Sequence, residues 1–234
     1  MIGKLKKYIR EKVLNLMKLI LDEEAKNIER ELQRIALRET TEFILKEKKL
    51  YKANIFNNKF ELLSYCIQNI KVDGLILEFG VYKGETINFI ASKLRDKVIY
   101  GFDSFEGLPE DWRSGFPKGT FVLGNLPQTE PNVKLIKGWF DKTLPEFIKE
   151  NNIPVAFIHV DCDLYSSTKI IFNVLKKNIV PGTIIVFDEF FNYPGWKNEE
   201  YKAFMEFVDE CKVDYEYLGY VKNHEQVGII IKHV

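Results

Sequence analysis

Apolar residues in the first fifty positions recur at steps of three and four. Leu5, Ile9, Val13, Leu16, Leu19 and Ile20 form one series, and Ile28, Leu32, Ile35 and Leu37 continue it, with charges between them. That period belongs to amphipathic helix, which completes a turn in about 3.6 residues. The spacing predicts helices over residues 2–50 and a further helix over Lys59–Ile70 that leads into a core domain.

From Gly74 onward the pattern changes to short apolar runs alternating with helical ones. Strands are expected at Gly74–Phe79, Val98–Phe102, Val133–Lys137, Val155–Val160 and Thr183–Phe187, the last entered through a Pro181–Gly182 turn. Helices are expected at Glu85–Leu94, Leu144–Glu150 with Pro145 in its first turn, Ser166–Asn178 and Glu199–Cys211. Two more strands, around Tyr215–Val221 and Gln226–Lys232, flank a short polar link and read as a hairpin. Repeated strand–helix units imply a mainly parallel sheet covered on both faces. The expected fold is α/β: a Rossmann-like, mostly parallel seven-stranded sheet with helices on both faces, a C-terminal antiparallel hairpin and an N-terminal helical extension. The extension is assigned to residues 1–58 and the core domain to 59–234.

Composition narrows the function classes. The chain has 234 residues, 46% of them hydrophobic, enough for one sizeable core. Basic and acidic residues balance at 34 each, so steering of nucleic acid by bulk charge is not expected. The basic clusters lie early, at Lys4, Lys6, Lys7, Arg10 and Lys12 and again at Lys46, Lys48 and Lys49. The N-terminal helices read as a cap or oligomerisation arm and a candidate homodimer contact. A basic amphipathic start also suits an anionic membrane, but Asp22, Glu23 and Glu24 follow closely. Three cysteines without paired spacing argue against a disulfide framework or zinc site and fit a cytoplasmic setting. Neither a transmembrane span nor a signal peptide is expected.

In such sheets ligands bind beyond the C-terminal strand ends. Here those ends carry Glu78-Phe79-Gly80, Asp103, Gly138, Asp161 and Asp188-Glu189. In Glu78-Phe79-Gly80-Val81-Tyr82-Lys83-Gly84, Gly80 permits a sharp turn and close ligand approach, and Gly84 does the same at the helix entry. The spacing is not the G-x-G-x-x-G that cradles a dinucleotide pyrophosphate, which counts against oxidoreduction. A carboxylate before the first glycine suits a cationic group such as the ammonium of a methionine moiety. Asp103 is placed to accept ribose hydroxyls or, with Ser104, to serve as a turn aspartate. Asp161, Asp188 and Glu189 would converge if their strands are neighbours, and a hard cation such as Mg²⁺ would relieve their repulsion. Asp163 reads as a cap for the helix near Ser166. His159 reads as core and His224 as a surface turn residue. Pro109–Pro131, without a clear period, reads as a lid or substrate loop, with Trp112, Arg113, Phe116 and Lys118 available to an acceptor. Tyr193 and Trp196 suit sugar stacking or core packing equally.

These residues resemble the macrocin O-methyltransferase family, which methylates sugar hydroxyls on macrolide antibiotics. The matching stretches are LEFGVYKGETI at 77–87, GFDSFEGLPEDW at 101–112, KGWFDKTLP at 137–145, IHVDCDLYSST at 158–168 and PGTIIVFDEF at 181–190. The resemblance implies S-adenosylmethionine as cofactor, with Glu78, Gly80 and Gly84 at its methionine end and Asp103 on its ribose. Ser104 and the Phe105–Gly107 loop would lie by the adenosine. Mg²⁺ would sit on Asp161, Asp188 and the following acid, with Asp161 also bordering the cofactor. The family carries Asp-Asp at that last pair, and here it is Asp188-Glu189, a longer ligand with shifted geometry. The implied reaction is direct methyl transfer to a sugar hydroxyl, with Asp161 as first candidate base and Asp163 second. The alternatives are a catechol-type metal-dependent O-methyltransferase and a noncatalytic scaffold that keeps the cofactor fold.

Overall fold

The computed structural model describes residues 2–234, with the side chains of residues 2, 3, 20–22 and 24 outside the description. Of the expected N-terminal pattern, the side chains of Ile20, Asp22 and Glu24 therefore lie outside the described residues. Helices α1 (Ile2–Ala25) and α2 (Ile28–Lys46) form the extension, and α3 (Lys48–Tyr51) follows. The apolar stripe of α1 does not pack within the chain, since Leu5, Ile9, Val13, Leu16 and Leu19 are all about half exposed or more. In contrast, α2 docks on the body. Ala36 and Thr40 are buried, Thr40 Oγ1 accepts from Asn192 N–H at 3.0 Å, and Gln33 donates to the Asn192 carbonyl at 2.6 Å.

The core is an eight-stranded sheet. Its strands are β1 (Asn54–Phe56), β2 (Leu75–Phe79), β3 (Ile99–Asp103), β4 (Val133–Lys137), β5 (Val155–Val160), β6 (Ile179–Phe187), β7 (Asp214–Val221) and β8 (Val227–His233), in the spatial order β1-β7-β8-β6-β5-β2-β3-β4. Every neighbouring pair is parallel except those made by β8, which runs antiparallel to β6 and β7. The expected architecture holds with one added strand. β1 pairs with β7 from the N-terminal side of residue 58, and its three residues are too few to carry a period.

Helices α4 (Lys59–Gln68) and α5 (Glu85–Lys93) cover one face, packing Leu62, Leu63, Ile87 and Ile90 on Ile76, Phe157 and Val186. Helices α6 (Phe140–Glu150), α7 (Tyr165–Leu175) and α8 (Glu200–Cys211) cover the other, with Leu144, Ile171, Phe172, Phe204 and Phe207 against Leu77, Ile158 and Phe187. α6 starts earlier than its apolar pattern, so Pro145 falls inside the helix rather than in its first turn. β6 likewise starts four residues early, and Pro181–Gly182 is absorbed as an irregularity in its pairing with β5. Among the described residues no helix is long and apolar enough to cross a membrane.

Phe172 anchors the α7–α8 layer, stacked on Phe207 at 4.8 Å between centroids and 5.8 Å from Phe204. Phe172→Ala should lower unfolding stability by about 3–5 kcal/mol, read as a shift in the urea midpoint at constant slope.

Candidate active site

The chain reverses its direction of winding between β2 and β5. From β2 it moves outward through β3 and β4, then returns to β5 and proceeds to β6 on the other side. Such a switch point leaves a crevice at the strand ends. Gly80 sits there with φ +89°, its N–H on the Phe102 carbonyl at 3.0 Å. A Cβ on Gly80 would lie 1.6 Å from the Asp161 carbonyl oxygen, so the loop after β2 crosses the end of β5 only because residue 80 has no side chain.

Above this crossing lies a cavity of about 660 Å³, lined among others by Lys59, Gly80, Asp103, Ser104, Asp161, Asp163 and Glu189. Gly107 joins the lining, whereas Gly84 caps α5 in a left-handed turn and Phe105 packs into the α4–α5 core. Asp103 lies at the end of β3, and its carboxylate accepts from the N–H groups of Val81 at 2.9 Å, Tyr82 at 2.8 Å and Phe105 at 2.7 Å. It therefore fixes both loops that border the cavity while itself facing it, so the two expected roles are compatible.

Glu78 corrects its expected contact. Its side chain is fully buried on the α4–α5 side, accepts from His159 Nδ1 at 3.1 Å, and is absent from the cavity wall. Burial pushes its carboxyl pKa up, and the hydrogen bond and charge of His159 oppose that. Burial also works against charging His159. The hydrogen bonds to Asp188 and Glu78 outweigh it and raise the imidazole to about 10. His159 is fully buried, as expected of a core residue, and it also bridges β2 to the end of β6, with Nε2 3.7 Å from Asp188 Oδ1.

The acids at the later strand ends do converge, with a changed membership. Ligand atoms of His159, Asp161 and Asp188 all lie within 4.8 Å of one another, and Glu189 is not in that group. Glu189 follows Asp188 directly, so its side chain leaves the strand end in another direction, into the cavity wall. Burial raises the carboxyl pKa of Asp161 and Glu189, and the Asp188 charge adds to it. Burial acts the same way on Asp188, but the His159 hydrogen bond and charge hold that carboxyl below the usual range. Glu78 Oε1, His159 Nε2, Asp188 Oδ1 and Glu189 Oε2 are buried without a hydrogen-bond partner. Within the converging group, Asp161 and Asp188 bring two carboxylates together, and carboxylate oxygens are the ligands a hard cation takes.

Asp163 corrects the capping expectation. The N-cap of α7 is Leu164, and the first N–H of that helix, on Tyr165, donates to Glu199 Oε2 at 2.8 Å. Asp163 has φ +66° and turns toward the cavity. Burial raises its pKa to about 7 against the pull of Arg113.

Glu200 and Gln226, which bond the residues of the site, escaped the sequence reading. Glu200, fully buried at the start of α8, accepts from Cys162 N–H at 3.4 Å and Glu189 N–H at 3.2 Å, tying both acid-bearing loops together. Gln226 donates to Asp188 Oδ2 at 3.2 Å, whereas neighbouring His224 is exposed. The loop over residues 109–131 covers the cavity with Trp112, Arg113, Phe116 and Phe121, and Lys118 takes no part in the lining. Arg113 ion-pairs with Glu225 at 3.0 Å and lies 4.0 Å from the Trp112 ring centre and 4.8 Å from that of Tyr193. Tyr193 and Trp196 are buried packing residues behind this wall.

Comparison with known proteins agrees with this geometry. Residues 77–190 match the model of a methyltransferase domain. A demethyldecarbamoylnovobiocin O-methyltransferase of Streptomyces niveus is 24% identical over 181 residues, 65% of this chain and 68% of that protein. An 8-demethyl-8-(2,3-dimethoxy-alpha-L-rhamnosyl)-tetracenomycin-C 4'-O-methyltransferase of Streptomyces olivaceus is 27% identical over 160 residues, 56% and 60% of the two chains. Among solved structures the calicheamicin methyltransferase CalS11 superposes with a TM-score of 0.60 at 21% identity, covering 73% of this chain and 77% of that one. The O-methyltransferase NovP superposes with 0.59 at 20%, covering 75% and 79%. The fold is Rossmann-like, and the domain matched over residues 77–190 is that of a methyltransferase. With these relatives, the chain is an S-adenosylmethionine-dependent O-methyltransferase.

Two outcomes follow from the site. Gly80→Ala should abolish cofactor binding and destabilise the protein, because the new methyl group meets backbone rather than a movable side chain; calorimetry and thermal melting read both. Arg113→Ala should open the lid, giving faster protease cleavage within 109–131 at little cost in melting temperature.

Proposed function

We propose that the chain methylates a hydroxyl of a sugar or glycosylated metabolite, as the macrocin-type resemblance implies, with Mg²⁺ assistance. The observation that carries the reading is the convergence of His159, Asp161 and Asp188 at the strand ends, beside a cavity walled in part by aromatic rings. The tetracenomycin relative, named as acting on a rhamnosyl 4'-oxygen, supports a sugar acceptor. Asp161 and Asp188 would hold the metal, which when bound lowers the pKa of a coordinated hydroxyl. Asp103 would bind the ribose, and Gly80 and Ser104 would let the cofactor approach the backbone. Asp163 is favoured over Asp161 as proton acceptor, because it faces the cavity outside the cluster made by His159, Asp161 and Asp188. Trp112, Phe116 and Phe121 would exclude water and stack on a sugar ring. Three unpaired cysteines suit work in the cytoplasm. The exposed stripe of α1 supports a homodimer through the N-terminal helices, and light scattering of a chain lacking residues 2–26 should show a monomer.

The test uses chelated protein with S-adenosylmethionine and a panel of nucleotide deoxysugars beside a catechol, read by mass spectrometry. Methyl transfer to a sugar, dependent on added Mg²⁺, is expected. Asp163→Asn should lower kcat by about 100-fold or more while cofactor affinity holds, and Asp103→Ala should lose that affinity. Transfer to the catechol alone favours the catechol-type reading, and absence of cofactor binding in every condition leaves only a scaffold.

A further inference from the structure

We propose that Lys59 binds the α-carboxylate of the cofactor's methionine moiety. The inference rests on the S-adenosylmethionine reading of the cavity and adds a residue on the N-terminal side of all the strand-end motifs.

Strand order fixes the direction in which the cofactor lies. β3, β2 and β5 are consecutive in the sheet, so a ribose at Asp103 sends the rest of the molecule over Gly80 toward Asp161. The far end is an α-amino acid, a zwitterion. Its ammonium needs an anion, and Asp161, Glu85 and Glu189 line that part of the wall. Its carboxylate needs a cation in surroundings that are otherwise strongly acidic.

The cavity wall offers Lys59, Lys83 and Arg113. Lys83 is exposed, with its ammonium 5.0 Å from the Tyr82 ring centre. Arg113 is held by Glu225 and by the rings of Trp112 and Tyr193 on the lid. Lys59 is half-buried as the first residue of α4, on the same sheet face as Glu78 and His159. Its ammonium lies 5.7 Å from the Phe60 ring centre, and no carboxylate of a described residue ion-pairs with it. Burial works against its charge, but the fields of Asp188, Asp161, Glu85 and Glu189 keep the lysine protonated. The start of α4 adds the positive end of a helix dipole. A charged, half-buried lysine without an ion-pair partner, at the amino-acid end of the crevice, is matched by a carboxylate ligand. With Glu78 drawn under the floor by His159, recognition of this end falls to groups outside the glycine loop.

The experiment needs no turnover. Calorimetry compares S-adenosylhomocysteine with its decarboxylated amine on the full chain and on Lys59→Met, Lys59→Gln and Lys59→Arg. Removing a positive charge from an acidic wall affects the ammonium of both ligands alike, so the affinity ratio isolates the carboxylate. The wild type should prefer the carboxylate-bearing ligand by about ten- to hundredfold. Lys59→Met and Lys59→Gln should lose most of that preference while still binding the amine, and Lys59→Arg should keep it. An unchanged ratio in Lys59→Met and Lys59→Gln would overturn the assignment, as would equal weakening of both ligands. If the wild type binds neither ligand, the cofactor reading itself fails and this inference with it.

Discussion

Burial of carboxylates at one point of the sheet is the constraint around which the rest of the molecule is arranged. Glu78, Asp161, Asp163, Asp188, Glu189 and Glu200 meet where β2, β5 and β6 end, and burial penalises the charge on each. An unpaired buried charge costs several kcal/mol, so each acid must be protonated, bonded or paired. Different parts of the chain supply the remedies. His159 bridges Glu78 and Asp188, Gln226 donates to Asp188, backbone donors satisfy Glu200, and Lys59 and Arg113 bring positive charge from opposite sides. A protein selected only for stability would place apolar side chains at these ends. Acceptors left without partners make sense for a site that binds something.

That arrangement explains which features the sequence disclosed. The strands were readable because buried parallel strands are continuous apolar runs, and the ends of β2, β3, β5 and β6 because an acid interrupts each of those runs. Asp103, Asp161 and Asp188 needed no more than that. The side toward which Glu78 points was not readable, since every residue of β2 is buried and no polar alternation marks a face. The same blindness hid the bridge that the buried His159 makes between Glu78 and Asp188. Separating Glu189 from the Asp161–Asp188 group required the exit direction of each side chain at a strand end. Glu200, Gln226, Lys59 and the Arg113–Glu225 pair each reach partners 38 or more positions away, carry no spacing signal, and join the site only when the sheet order brings them in. β1 was lost for another reason, because a strand of three residues owes its existence to the edge of β7 that it covers.

The cavity is divided by the same physics. Its floor is made of strand ends and tight turns, where Gly80 and Asp103 hold backbone in fixed positions through hydrogen bonds of about ordinary length. Its lid is made of rings and a single latched arginine on a loop with little regular structure. The floor suits the invariant ligand of the reaction, whose ribose and amino-acid groups are always the same. The lid suits the variable one, because loops over a rigid scaffold change without disturbing the sheet.

The two parts meet at Asp163. The residue stands in a left-handed conformation between the end of β5 and the start of α7, and Glu199 satisfies the helix N–H that an aspartate cap would have taken. Because α8 supplies that hydrogen bond, Asp163 is released from capping and its carboxylate faces the cavity, within the field of the lid's Arg113. Glu200, the next residue of the same helix, ties the loop of Asp161 to that of Glu189. One turn of α8 thus leaves Asp163 free to face the cavity and ties together the loops of Asp161 and Glu189, which couples the placement of the cavity's acids to the packing of that helix.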